Sequence, residues 1–288
     1  MTEQLPGGPD AEDRHREFDD GDMHVVQDGR PSAPALLLIQ NAVAPIALWD
    51  PVVPLLAGTY RVIRVDLLGR GRPSPATSYD VPAQAGRVGA MLDRLGVNGV
   101  TAIGHSSGGI VATALAEQRP GTVAALALIN TGPSPDAKIP EPLVARLLTA
   151  PLAGQLLWRL KTEATVRKAA GTGFTRPVDV PDALIEHVRD MTYRSFTATM
   201  RAYADYLRQR SIPARLAVLG LPVLVIFGAD DRRWHSSSSA AYRDVPGARV
   251  ELLPGVGHTP IIEDPRTTAT LLADFAAAVY PLPAVKER

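Results

Sequence analysis

Cysteine is absent from all 288 residues. That absence removes thiolate nucleophiles, iron-sulfur clusters, thiolate-ligated zinc and disulfides, so neither a stapled scaffold nor a cysteine-based redox or hydrolytic site is available. Any nucleophile is an oxygen or an amine. An excess of charge of either sign is also missing, with 30 basic against 30 acidic side chains. A chain balanced in this way has no overall field to draw nucleic acid or an anionic membrane, and the expected partner is a small molecule. Long apolar runs are missing too. The longest, Val123 to Ile129, is far short of the ~20 residues of a membrane helix, and Met1 to Asp22 has no apolar stretch of the secretory type. The expectation is a cytoplasmic monomer or homodimer with no membrane or nucleic-acid partner.

What is present, 45% hydrophobic and 21% charged residues, suits one globular domain or one domain carrying an insertion. Residues 1–22 are acidic, with two prolines and the single aromatic Phe18. They have too little to bury to offset the entropy of ordering, and a flexible tail is expected there. From Met23 onward, strand-like runs alternate with helical ones. The strands are expected at His24 to Gln27, Ala35 to Gln40, Arg61 to Val65, Gly99 to Ile103, Val123 to Ile129, Pro222 to Phe227 and Ala248 to Leu252. Several are apolar throughout (LLLI, VAALALI, PVLVIF), as strands buried on both faces are. Helices are expected at Pro45 to Ala57, Pro82 to Leu95, Ser106 to Gln118, Ser237 to Asp244 and Pro265 to Val279. This alternation predicts an α/β fold with a mostly parallel central sheet flanked by helices.

One stretch interrupts it. Between about Gly132 and Arg215 no strand pattern occurs, while helical patterns run from Leu143 to Leu160 and from Pro181 to Arg210. A segment of ~80 residues is too long for a structureless loop. The expected organisation is therefore a core of residues 23–131 and 216–288 with a helical lid, 132–215, inserted in it.

Gly104-His105-Ser106-Ser107-Gly108 follows the apolar VTAI and opens the helical SSGGIVATALAEQ. A serine on a sharp strand-to-helix turn projects its oxygen above the sheet, and the helix N-terminus beneath it favours developing negative charge. A serine hydroxyl is a poor nucleophile without a base, and the base needs a partner to fix its tautomer. His258, in LLPGVGHTPIIEDP after the last strand, is the best placed of the six histidines. FGADDRRW, after PVLVIF, offers Asp230 and Asp231 as the acid.

In this order of nucleophile, acid and histidine the chain resembles the α/β-hydrolase family. VDLLGRGRPS (Asp66 to Ser74) is similar to the family's D-x-x-G-x-G-x-S loop, and GHTPIIEDP to its G-H-x-x-x-x-E-x-P signature. The resemblance implies the α/β-hydrolase fold with the lid after the sixth strand, catalysis by Ser106, Asp231 and His258 without metal or cofactor, and a structural role for Asp66. It selects Asp231 over Asp230 by the spacing G-x-x-D. It also implies an oxyanion hole formed by the backbone N–H groups of Ser107 and Ala42. Where the family usually has His-Gly after the third strand, this chain has Gln40-Asn41. Either the turn survives on asparagine's tolerance of left-handed backbone, or one of the two amides serves an unusual substrate or a non-hydrolytic reaction.

Trp158, Phe196 and Tyr203 of the insertion are the candidate pocket residues, with Gln40 and Asn41. The expected activity is hydrolysis of an ester or lactone of an uncharged, moderately apolar molecule through an acyl-enzyme on Ser106. The alternatives are a carbon-carbon bond hydrolase, or a non-hydrolytic relative such as a cyclase, lyase or ligand receptor.

Overall fold

The computed structural model describes residues 12–18, 21–67, 78–140, 146–148, 150 and 152–280. Eight strands form one sheet: β1 (Glu12–Phe18), β2 (Gly21–Asp28), β3 (Ala35–Ile39), β4 (Arg61–Val65), β5 (Val100–His105), β6 (Val123–Ile129), β7 (Val223–Gly228) and β8 (Ala248–Leu253). Their order is β1-β2-β4-β3-β5-β6-β7-β8. β2 pairs antiparallel with β1 and β4, and every other neighbouring pair is parallel. β1 corrects the expected tail. Glu12–Phe18 pairs residue for residue with Gly21–Gln27, because a hairpin partner satisfies backbone groups that side-chain burial alone leaves unpaid. The rest of that segment, 1–11 and 19–20, lies outside the described residues.

The apolar strands divide their side chains between two layers with the two-residue period of a sheet. Leu37, Ile39, Ile63, Leu126, Leu128, Val225 and Phe227 face one layer, which they share with helices α2 (Val81–Arg94) and α3 (Ser107–Gln118). Leu36, Leu38, Val62, Ala127, Ile129, Leu224 and Ile226 face the other, against Trp49, helix α1 (Val53–Leu56) and the C-terminal helix.

The predicted helix over 45–57 is split into a 3-10 turn, Ile46–Trp49, and α1. Pro51 lies between them, where it lacks the N–H that a continuing helix requires. Between β6 and β7 run α4 (Ala153–Arg159), α5 (Glu163–Gly171), α6 (Asp182–Asp190), α7 (Tyr193–Gln209) and α8 (Ile212–Leu219). The helix expected over 181–210 is two helices, separated where Thr192 caps α7 by accepting from the Ser195 N–H. α8 crosses the boundary expected at residue 215; it packs on α3, and its Ile212 and Leu216 belong to the core. After β8 come α9 (Pro260–Glu263) and α10 (Pro265–Val279). Of the loop Asp66 to Ser74, residues 68–74 lie outside the described residues. Among the described residues no helix is long and apolar enough to cross a membrane.

The chain leaves β3 toward β4 on one side and returns to β5 on the other. The loops after β3 and β5 therefore diverge, opening the crevice at the carboxyl ends of the strands in which α/β proteins bind ligands.

Candidate active site

Ser106 sits on the turn between β5 and α3 with φ 54° and ψ −118°. A non-glycine residue held there costs roughly 1–3 kcal/mol, and neighbouring bonds hold it in place. Its N–H donates to Ile129 O (2.7 Å), and its carbonyl accepts from Gly109 N (3.0 Å) and Thr131 Oγ1 (2.9 Å). The two flanking glycines have a steric reason. A Cβ on Gly104 would lie 2.3 Å from Gly109 N, and one on Gly108 would lie 2.2 Å from Ile39 O. The turn closes only where both side chains are absent.

The structure brings Ser106, His258 and Asp231 together. His258 Nε2 is 3.1 Å from Ser106 Oγ, and Nδ1 is 2.9 Å from Asp231 Oδ2 and 3.1 Å from Oδ1. With the proton on Nδ1, donated to the carboxylate, Nε2 accepts from the serine hydroxyl. The Asp231 side chain is fully buried, whereas 12% of the His258 side chain is exposed. Burial would raise the Asp231 carboxyl. The charge of His258 and hydrogen bonds from His258, Asn130 and the Arg233 N–H outweigh it and hold the group below the ordinary carboxylate range. Asp230 is exposed, and its carbonyl accepts from Thr175 Oγ1. The two adjacent aspartates are thus separated by orientation: the Asp231 carboxylate faces His258, and Asp230 is exposed.

Two residues outside the sequence-based set hold this arrangement. Asn130, fully buried at the end of β6 with φ 45°, donates from Nδ2 to Asp231 Oδ2 (2.7 Å) and Gly257 O (3.2 Å) and accepts the Gly228 N–H on Oδ1 (3.2 Å). A polar residue directly after the apolar run VAALALI was the signal available for it. Buried Glu263 accepts the N–H groups of Thr175, Arg176, Gly257 and Thr259 at 2.8 to 3.1 Å. This is the glutamate of GHTPIIEDP. It ties the loop of His258 to the segment between α5 and α6, where Gly173 O also accepts the His258 N–H (3.1 Å).

The loop after β3 differs from expectation. The Ala42 N–H donates to Ser107 Oγ (2.8 Å), so one expected oxyanion donor is engaged by the side chain of the residue that carries the other. The Ser107 N–H opens α3 and has no carbonyl one turn earlier in the helix to bond. Gln40 has no exposed surface, and its Nε2 donates to Asp66 Oδ1 (2.8 Å), which also accepts the Ile46 N–H (3.1 Å). Gln40 is therefore turned into the protein, away from the substrate role considered for it, and Asp66 has the structural role expected. The Asn41 amide is likewise spent on the protein: Oδ1 accepts the Val43 N–H (2.9 Å), and Nδ2 lies 3.1 Å from His105 Nδ1.

His105 is fully buried, and its Nε2 is 2.8 Å from the carbonyl of His258. Burial, reinforced by the charge of His258, lowers its pKa to about 3, against smaller opposing contributions from that carbonyl bond and Asp231. The ring is neutral, with Nε2–H donating to the carbonyl and Nδ1 accepting from Asn41.

The three candidate pocket residues of the insertion carry packing contacts. Trp158 stacks on Phe196 (4.7 Å between centroids), donates from Nε1 to Met191 O (2.8 Å) and lies under Lys161 Nζ (4.2 Å). Tyr203 is buried in the core layer with Tyr206 and Leu207. Among the described residues no group of three or more His, Cys, Asp or Glu side chains is placed to hold a metal ion.

The model of the alpha/beta hydrolase family matches residues 44–271. An uncharacterized protein of Mycobacterium tuberculosis is 30% identical over 272 residues, 87% of this chain and 77% of its own. RutD of Stutzerimonas stutzeri, provisionally named a carbamate hydrolase, is 32% identical over 267 residues, covering 88% of this chain and 97% of its own. Among solved structures, a variant of the N-acyl homoserine lactonase AidH complexed with N-hexanoyl homoserine lactone superposes with a TM-score of 0.80 at 19% identity, over 94% of this chain and all of that one. At that identity the likeness shows the fold alone. The strand order, the strained serine turn and the matched residues together make this chain a member of the alpha/beta hydrolase family.

Proposed function

We propose that this chain is a cofactor-independent serine hydrolase that cleaves an ester or lactone of an uncharged, moderately apolar small molecule through an acyl-enzyme on Ser106. The observation that carries the proposal is the hydrogen-bonded series Ser106 Oγ, His258 Nε2, His258 Nδ1 and Asp231 Oδ2, at 3.1 and 2.9 Å. Neutral His258 takes the hydroxyl proton as Ser106 Oγ bonds to the carbonyl carbon, and buried Asp231 stabilises the imidazolium that results. The oxyanion takes the N–H of Ser107 at the start of α3, and that of Ala42 once Ser107 Oγ yields it. The ester C–O bond breaks, and the leaving alkoxide takes the proton from Nε2. Water then repeats the sequence on the acyl-enzyme, returning the proton to Ser106 and releasing the acid.

The helices between β6 and β7 act as the lid. Support comes from the bonds of Gly173, Thr175 and Arg176 to the loop of His258, which tie the insertion to the base. The carbamate-hydrolase name of one relative and the lactonase activity named for one fold neighbour agree with attack at an acyl carbon. The bonds from Gln40 Nε2 to Asp66 and from Asn41 Nδ2 to His105 favour hydrolysis over the cyclase, lyase or receptor reading, since they point these donors into the protein.

A panel of esters, lactones and thioesters assayed with wild type and Ser106→Ala in parallel tests the proposal. Turnover in wild type that disappears in the variant is expected. Equal activity in the two proteins would refute it.

A further inference from the structure

We propose that Asn41 and His105 form a positioning pair that fixes the loop of the oxyanion donor and the loop of the base relative to each other. The inference rests on the hydrolase reading above and adds two residues to it, neither of which touches the reacting atoms.

The connection runs through three chain segments. Asn41 follows β3, His105 ends β5 one residue before Ser106, and His258 lies between β8 and α9. Asn41 Oδ1 holds the Val43 N–H, closing the turn that contains Ala42, and Nδ2 donates to His105 Nδ1. His105 Nε2–H in turn donates to the carbonyl of His258, and the two rings meet at a centroid distance of 5.2 Å. One neutral imidazole thus accepts from the first loop and donates to the second. A side chain that only donates, or only accepts, fails one of them.

The chemistry of position 41 follows from this. Its side chain must accept from a backbone N–H two residues on and also donate to a ring nitrogen. Asparagine does both, and its tolerance of turn geometry suits the place. Glycine would leave His105 Nδ1 without this donor in a fully buried setting, where an unpaired polar atom costs ~1–3 kcal/mol. The departure at Gln40-Asn41 is thus an internal brace.

Asn41→Asp separates this role from simple loop packing. It has nearly the same shape and keeps an acceptor for Val43, but presents an acceptor to His105 Nδ1. The ring must then move its proton to Nδ1, losing the bond to the His258 carbonyl, or become a cation beside His258. Two readouts on wild type, Asn41→Asp and Asn41→Ala decide the matter: steady-state kinetics with p-nitrophenyl acetate, and nitrogen-15 NMR of histidine-labelled protein. In wild type, one histidine is expected to remain the neutral Nε2–H tautomer from pH ~8 down to ~5. Asn41→Asp is expected to change that tautomer, shift the His258 Nδ1–H resonance and lower kcat at least tenfold with KM within threefold.

Wild-type kcat in a variant whose His105 tautomer has changed would overturn the proposal, as would an Nδ1–H tautomer for His105 in wild type. If wild type hydrolyses nothing, the hydrolase reading fails on its own. The pair is then judged by the His258 resonance, which must move in Asn41→Asp.

Discussion

Two regions meet at the loop of His258 and are held together in different ways. The strand ends are braced by buried, directional bonds. Asp231 accepts from four groups, the Asn130 side chain bonds to three partners, and Glu263 gathers the N–H groups of four residues. The helices of the insertion rely on stacked aromatics, capping residues and exposed ion pairs such as Arg167 with Glu163 and Asp182. The residues that cap its α4, Leu152 and Leu160, are 82% and 64% exposed. Exposed pairs contribute ~0–1 kcal/mol each, whereas a buried network fails as a unit when one member is lost. In the proposed function, chemistry belongs to the braced strand ends and substrate preference to the insertion.

Substitutions on the two sides of that boundary sharpen the contrast. Asp231→Asn keeps the shape but removes the charge that orients and stabilises the His258 imidazolium, and kcat is expected to fall by at least ~10². Its exposed neighbour is the control, with Asp230→Asn expected within about tenfold of wild type. Thermal unfolding of both variants checks that each is folded, and the reverse order of activities would move the acid to Asp230.

Asn130→Ala has the next largest effect. It leaves Asp231 charged but removes a donor at 2.7 Å and strands the Gly228 N–H. A decrease in kcat of about tenfold is expected, with a lower Tm, because a buried group without its partner loses ~1–3 kcal/mol. An unchanged kcat would show that the Arg233, Trp234 and His258 contacts hold the carboxylate without Asn130.

The third prediction concerns stability and pH. Folded His105 resists a proton down to about 3, while the unfolded chain accepts it below 6.5. Across that window the unfolded state binds more protons, so stability falls as pH falls, by at most ~1.4 kcal/mol per pH unit from this residue. Urea unfolding between pH ~7 and ~4 measures it. His105→Phe, though less stable overall, should show a flatter profile than wild type, and parallel profiles would contradict the burial of the ring.

The smallest effect is expected from the insertion. Trp158→Ala removes the stacking on Phe196 and should change KM or substrate preference several-fold with kcat within about threefold on the best substrate. A collapse of kcat comparable to that of Asp231→Asn would erase the distinction between the two regions.

The sequence made one of these regions far more legible than the other. Apolar strands such as VAALALI are visible because burial on both faces leaves no polar residue in them, and the serine turn because two glycines are sterically required beside it. Asp231 was separable from Asp230 only through the family spacing. Asn130, Glu263 and the Asn41–His105 contact were not assigned roles, since a hydrogen bond spanning 64 to 101 residues leaves no periodicity to read. Glycine-to-asparagine at position 41 looked like a change in the site because its compensating partner lies on another strand. In the insertion, polar and apolar residues mark helices well enough, but not where they break, since the cap at Thr192 is a local bond within an otherwise continuous helical pattern.

The central claim, that Ser106 is the nucleophile driven by His258 and Asp231, is tested most directly by covalent capture. A fluorophosphonate attacked by an activated serine gives a stable phosphonyl ester that mass spectrometry assigns to a residue. Wild type should be labelled on Ser106 alone, His258→Ala should be labelled at least ~10² times more slowly, and Asp230→Asn should match wild type. An adduct on another residue, or none on Ser106 in a protein with measurable esterase activity, would contradict the account.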